Sequence, residues 1–151
     1  MAIDEDVRAL SAVPLFRSFS GEQLRLIAFG TEHLTVTKGR ELYREGQEAD
    51  CGFIILSGAL NLLEENGMNR RIVQTAIKGS LLGELALIAP ATRPTSAVAA
   101  EDTQVMRINR SLIRRVLEEY PELAATLHGE IASRFQDFLG DITRLERKFS
   151  D

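Results

Sequence analysis

The chain has 151 residues, 44% of them hydrophobic, enough to build the core of one compact domain. Its formal charge is -4 and neither half carries a run of lysine or arginine able to track a phosphate backbone, which argues against a nucleic-acid partner. Cys51 is the only cysteine, so an internal disulfide and a thiolate metal cluster are excluded. With no apolar run of bilayer length and no secretory pattern at the N-terminus, a cytoplasmic protein without a membrane partner is expected.

Residues 4–30 show helical spacing: Val7, Leu10 and Leu15 in one stretch, Leu24, Ile27 and Ala28 in the next. Two short helices joined around Pro14 are predicted, the second opened by a capping box of Ser20 and Gln23. From about residue 32 to 108 the pattern changes to short strand-like runs (HLTVT, ELYRE, FIILSG, ALNLLEE, RIVQTAI, SAVAA and QVMRI) separated by turn signals. The Asn66-Gly67 step favours positive φ and predicts a hairpin between two of these runs, with a loop of two residues or more. Helical spacing returns after Asn109, a candidate N-cap, and Pro121 stands where a first helical position tolerates proline. A longer helix is predicted from about 121 to 148. No internal repeat is found, and the chain divides into N-terminal helices (1–31), an antiparallel roll (32–109) and C-terminal helices (110–151) of one unit.

The stretch Gly83-Glu84-Leu85-Ala86-Leu87-Ile88, followed by Ala89 to Thr92 and then Arg93-Pro94-Thr95-Ser96-Ala97, reads as a phosphate-and-sugar cradle. Gly83 lets backbone approach a ligand, and a short helical turn after it would point N–H groups at an anion. The fork of Arg93 matches two phosphate oxygens, and the Glu84 carboxylate can accept a hydrogen bond from a sugar hydroxyl. A Gly-Glu pair alone is more often a solvated turn, and a lone arginine more often a surface charge or salt-bridge partner. Cys51 sits beside a predicted strand and is read as a small semi-buried residue rather than a redox group, because no basic neighbour would lower its pKa. His33 and His128 lie far apart and are read as structural or surface residues, too few for a metal-dependent roll.

Residues 83–97 resemble the phosphate-binding cassette of the cyclic-nucleotide-binding family, whose usual form is F-G-E-(L/I)-A-L, a short loop, then P-R-(A/S/T)-(A/T). Glu45-Gly46, Ala49-Asp50, Phe53-Ile54-Ile55 and Gly58-Ala59-Leu60 resemble its second signature, and Val13-Pro14-Leu15-Phe16 its helical opening. The resemblance implies a mainly β fold, an eight-stranded antiparallel β-roll with N-terminal helices and a long C-terminal helix. It also implies that the ligand is cAMP or cGMP, with Glu84 on the ribose 2′-hydroxyl, Arg93 on the cyclic phosphate, and backbone N–H groups after Gly83, including that of Ala86, completing the anion site. Leu85 would line the pocket. Two residues depart from the pattern. Leu82 replaces phenylalanine, a packing change, and Pro94 replaces a residue whose N–H contacts the phosphate, so that either phosphate affinity is weakened or Thr95 supplies a substitute hydroxyl or amide.

Ile131, Phe135, Phe138, Ile142, Leu145 and Phe149 form the seam of an amphipathic helix. That seam could lie on the chain's own roll or pair in a homodimer, as in the catabolite-activator branch, where this helix also contacts the base. The corresponding positions here are Phe138 and Leu139, an apolar lid that leaves base preference open. No nucleophile, base and orienting group cluster, so a non-enzymatic module is expected, signalling to a protein partner without a DNA-binding part. The alternative is an interaction or dimerisation module of the same fold whose pocket has lost nucleotide binding.

Overall fold

The structure is a computed structural model that describes residues 2–133. Helix α1 (Ala2–Ser11), a 3-10 turn (Pro14–Phe16) and helix α2 (Gly21–Gly30) precede ten strands. The capping box forms as expected: the Gln23 N–H donates to Ser20 Oγ (3.1 Å) and the Ser20 N–H to Gln23 Oε1 (2.8 Å), satisfying two of the donors a helix start leaves open. A contact of 2.9 Å between His33 Nε2 and the buried Asp6 Oδ2 ties α1 to the first strand.

The strands are β1 (Glu32–Val36), β2 (Glu41–Tyr43), β3 (Glu48–Ala49), β4 (Cys51–Ser57), β5 (Ala59–Asn66), β6 (Asn69–Ile77), β7 (Leu81–Leu82), β8 (Ala91–Thr92), β9 (Ser96–Ala99) and β10 (Thr103–Asn109). They pair antiparallel in three sheets, of order β1-β10-β4-β7, β2-β9-β5-β6 and β3-β8. The seven runs read from the sequence are all strands. The roll is divided more finely than the eight implied by resemblance, because β3, β7 and β8 are two residues each and too short to show alternation. The hairpin closes with Asn66 opposite Asn69, so its loop is Gly67-Met68. Only the first of these has positive φ (63°), the II′ pattern, which requires glycine there.

Strand β4 explains why CGFIIL reads as a continuous apolar run: it is buried on both faces. Cys51, Phe53 and Ile55 point into the roll against Val105, Leu60, Leu62 and Ala97. Ile54 and Leu56 point the other way, into a second core that Met106 and Ile108 share with Leu10, Phe16 and Ile27 of the N-terminal segment. Each large side chain buried there contributes roughly 1.5–3 kcal/mol. Helix α3 (Arg110–Glu119) buries Leu112, Ile113 and Val116 in the same core. Asn109 occupies the N-cap position, but its side chain makes no cap bond and instead accepts from Arg107 Nε at 3.1 Å.

A further helix, α4, starts at 121 and is described as far as 133. Leu123, Leu127 and Ile131 bury its inner stripe against the helical core. Its predicted run to 148, and with it Phe135, Phe138, Leu139, Ile142, Leu145 and Phe149, lies outside the described residues.

Candidate functional site

Gly83 leaves β7 with φ of 83°, a conformation L side chains rarely adopt, and turns the chain into a 3-10 turn (Leu85–Leu87). Inside that turn the Ala86 N–H donates to the Gly83 carbonyl (3.1 Å), the Leu87 N–H to Glu84 (3.2 Å) and the Ile88 N–H to Leu85 (3.1 Å). Of the N–H groups expected to face an anion, that of Ala86 is therefore spent within the turn. Ala86 and Leu87 are buried, Glu84 is half-buried, and Leu85 stands out from the surface with 41% of its area exposed. A recess of about 240 Å³ separates Leu87 and Ile88 from Arg110, Leu117 and His128 of the C-terminal helices.

After β8 the chain brings Arg93 back beneath Gly83. Two backbone bonds fix it there, the Arg93 N–H to the Gln47 carbonyl and the Gly46 N–H to the Arg93 carbonyl, both 2.8 Å. The side chain runs inward and is only 5% exposed. Nη2 donates to the Cys51 carbonyl at 3.0 Å and lies 3.2 Å from Cys51 Sγ. Cys51 thus has a basic neighbour, contrary to the sequence reading, because β4 and the loop before β9 are brought together across a separation of 42 residues.

The guanidinium carbon lies 4.5 Å from the centroid of the Tyr43 ring and 5.4 Å from that of Phe53, and the two rings stack on each other at 6.0 Å. Nη1 has no hydrogen-bond partner, and Arg93 forms no ion pair among the described residues. A Cβ on residue 83 would come within 2.6 Å of this Nη1 and 3.0 Å of the Cys51 carbonyl, so glycine is required by space as well as by φ.

Burial raises the Tyr43 phenol above its ordinary pKa, against the opposing charge of Arg93 and side-chain hydrogen bonding with Thr95. Pro94 is exposed and Thr95 half-buried. Ser96, fully buried, accepts from the Glu45 N–H (2.9 Å) and donates to Glu65 (2.7 Å), whose carboxyl is held low by Arg70 and then by Ser96. Arg70 in turn reaches Glu41 (3.3 Å), lacing the roll's mouth with alternating charge.

The fold therefore brings Gly83, Glu84, Ala86, Arg93 and Thr95 into one neighbourhood. Tyr43 and Phe53, the aromatic faces against Arg93, were missed as site residues; Phe53 belonged to a recognised signature, but nothing in the sequence says which face of β4 it takes. Among the described residues no three His, Cys, Asp or Glu side chains gather to hold a metal, and no helix is long and apolar enough to cross a membrane.

Residues 33–120 match the cyclic nucleotide-binding domain family. A cyclic nucleotide-binding-like protein from Brucella abortus is 52% identical, covering 76% of this chain and 99% of its own, with a TM-score of 0.72. The regulatory domain of Toxoplasma gondii PKA, solved with cAMP, shares the fold at 24% identity and a TM-score of 0.70, over 76% of this chain and 44% of its own. Lysophospholipase nte1 of Aspergillus fumigatus is 32% identical over 114 residues, 75% of this chain but 8% of that protein. A profile match over more than half the chain, on a β-roll that seats the cassette arginine beneath the cassette glycine, places this protein in the cyclic nucleotide-binding domain family.

Proposed function

We propose that this chain is a cyclic-nucleotide sensor, binding cAMP or cGMP with the cyclic phosphate on Arg93 and the ribose 2′-hydroxyl on Glu84. The observation that carries this reading is the buried Nη1 of Arg93, a cationic donor without a partner in the floor of the cassette. A buried guanidinium lacking an acidic partner is costly unless something anionic completes it. Leu85 and Thr95 complete the rim, Thr95 standing in for the N–H that Pro94 lacks. The module is regulatory rather than catalytic and needs no metal. Its signal passes to a protein partner through the C-terminal helix, whose Phe138 and Leu139 close over the base, and the same helix can pair two copies.

Calorimetry with cAMP and with cGMP, on the parent protein and on Arg93→Ala, tests the reading. Loss of one charge-assisted contact of about 1.5–3 kcal/mol weakens binding about 10- to 150-fold. Binding of neither nucleotide, or equal binding by Arg93→Ala, refutes the assignment. The lid is checked by hydrogen exchange: residues 135–149 gain protection on saturation if the helix closes, and stay unchanged if it is only structural.

A second reading, an interaction or dimerisation module of this fold that has lost nucleotide binding, is favoured by two local features. Pro94 offers no N–H, and the Ala86 N–H is already used. Absence of binding at millimolar nucleotide selects it.

A further inference from the structure

We infer that Tyr43 is a positioning residue, whose ring seats the Arg93 guanidinium for a phosphate while leaving its Nη1 donors unspent. The inference rests on the sensor reading above and adds a residue to it.

A guanidinium that is 5% exposed has lost most of its hydration and must be compensated by the protein. A carboxylate would do so, but it would take the parallel N–H donors of the fork and compete with the incoming phosphate for them. Aromatic faces offer another solution, because the ring quadrupole attracts a cation through its flat face and leaves the in-plane N–H groups pointing elsewhere. Arg93 has this second arrangement. Tyr43 lies nearer at 4.5 Å and Phe53 at 5.4 Å, the two rings are inclined by only 22°, and Nη1 is left without a partner beneath Gly83.

Tyr43 is itself immobilised. It is buried, and its backbone pairs with Ala97 of β9, the last residue of the cassette, so the ring is carried by the sheet that also carries the residues after Arg93. The seat is thus assembled from β2 and β4, and the cassette supplies only the arginine placed in it.

Two measurements test the inference. The first uses nucleotide-free protein and NMR. The Arg93 side-chain proton on Nε, identified by its loss in Arg93→Lys, is expected upfield of ordinary arginine positions, because it lies in the ring currents of Tyr43 and Phe53. A shift in the ordinary range overturns the seat. The second is cAMP calorimetry on Tyr43→Phe and Tyr43→Leu. Phenylalanine keeps the face and binds within about threefold of the parent, whereas leucine weakens binding about tenfold, the scale of a desolvated cation–π contact. Equal affinity for Tyr43→Leu and the parent overturns the inference even if Arg93 remains essential. Should Tyr43→Leu fail to fold, the NMR measurement still decides. Should the parent bind neither cAMP nor cGMP, the sensor reading fails, and the Arg93 resonance separately shows whether the guanidinium sits on the rings.

Discussion

Gly83→Ala separates two demands that the cassette places on one residue. The first is conformational: at φ of 83° an alanine costs roughly 1–2 kcal/mol, which for a chain of this length lowers the melting temperature by about 2–8 °C. The second is spatial. The new methyl group would stand 2.6 Å from Arg93 Nη1 and 3.0 Å from the Cys51 carbonyl; the carbonyl belongs to the buried β4 backbone, so the guanidinium is the part that gives way. Displacing it forfeits a charge-assisted phosphate contact of about 1.5–3 kcal/mol, or about 10- to 150-fold in affinity. Gly39→Ala is the control, since Gly39 has nearly the same φ (84°) with nothing within 4 Å of the added carbon. Both variants are expected to melt earlier in differential scanning calorimetry, Gly83→Ala by the larger amount because of its added contacts, and only Gly83→Ala to lose cAMP affinity by titration calorimetry. Equal loss of affinity in the two, or none in Gly83→Ala, would refute the placement of Arg93 beneath Gly83 as the phosphate seat.

Ser20→Ala removes the side-chain acceptor of the α2 capping box and is expected to cost about 1 kcal/mol, seen as a lower urea midpoint with nucleotide affinity unchanged. Gly58→Ala should cost more than Gly39→Ala, because at φ of 88° its added carbon would lie 2.6 Å from the Asp102 carbonyl and 2.5 Å from Thr103 Oγ1, which the Ala59 N–H already uses; parallel thermal melts compare the two. Burial raises the folded pKa of Tyr43 above its ordinary 10.0, so the folded state holds its proton where the unfolded chain releases it. That contribution is fully present below the unfolded value and is lost as pH rises through the folded one. Chemical denaturation across the alkaline range should therefore show stability falling above about pH 10, with a shallower fall in Tyr43→Phe.

Much of the fold was legible because it is written in short-range pattern. The strand-like runs ALNLLEE and RIVQTAI, the Asn66-Gly67 step and the Ser20/Gln23 pair each specify structure within a few residues, and each appears where expected. Two-residue strands such as β7 and β8 carry no pattern, since pairing alone defines them. Asn109 shows a different limit: its position was readable, but the partner of its side chain was decided by Arg107 two residues earlier, a choice made by packing. At the candidate site, the nearness of Arg93 to Gly83 was implied by the cassette resemblance. The environment of Arg93 was not, because Tyr43 and Phe53 reach it from strands distant in sequence, and no local rule states that two aromatic faces will stand in for a carboxylate.

Strand β4 shows how one segment serves both the site and the scaffold. Its odd-numbered residues Cys51, Phe53 and Ile55 face the roll, where two of them touch Arg93, while Ile54 packs on the helices. Since successive side chains of a strand point to opposite faces, the strand cannot slip by one residue without exchanging the arginine's seat for the helix-packing surface. The helical core therefore fixes the register that aims the Cys51 carbonyl and the Phe53 ring at the guanidinium. Helices α1, α2 and α3 thus contribute to the setting of Arg93 through the apolar contacts that hold Ile54 in place. The glycine, the arginine and the aromatic faces are all set by sheet pairing and core packing, and on the sensor reading proposed above an anion would supply the partner that Nη1 lacks.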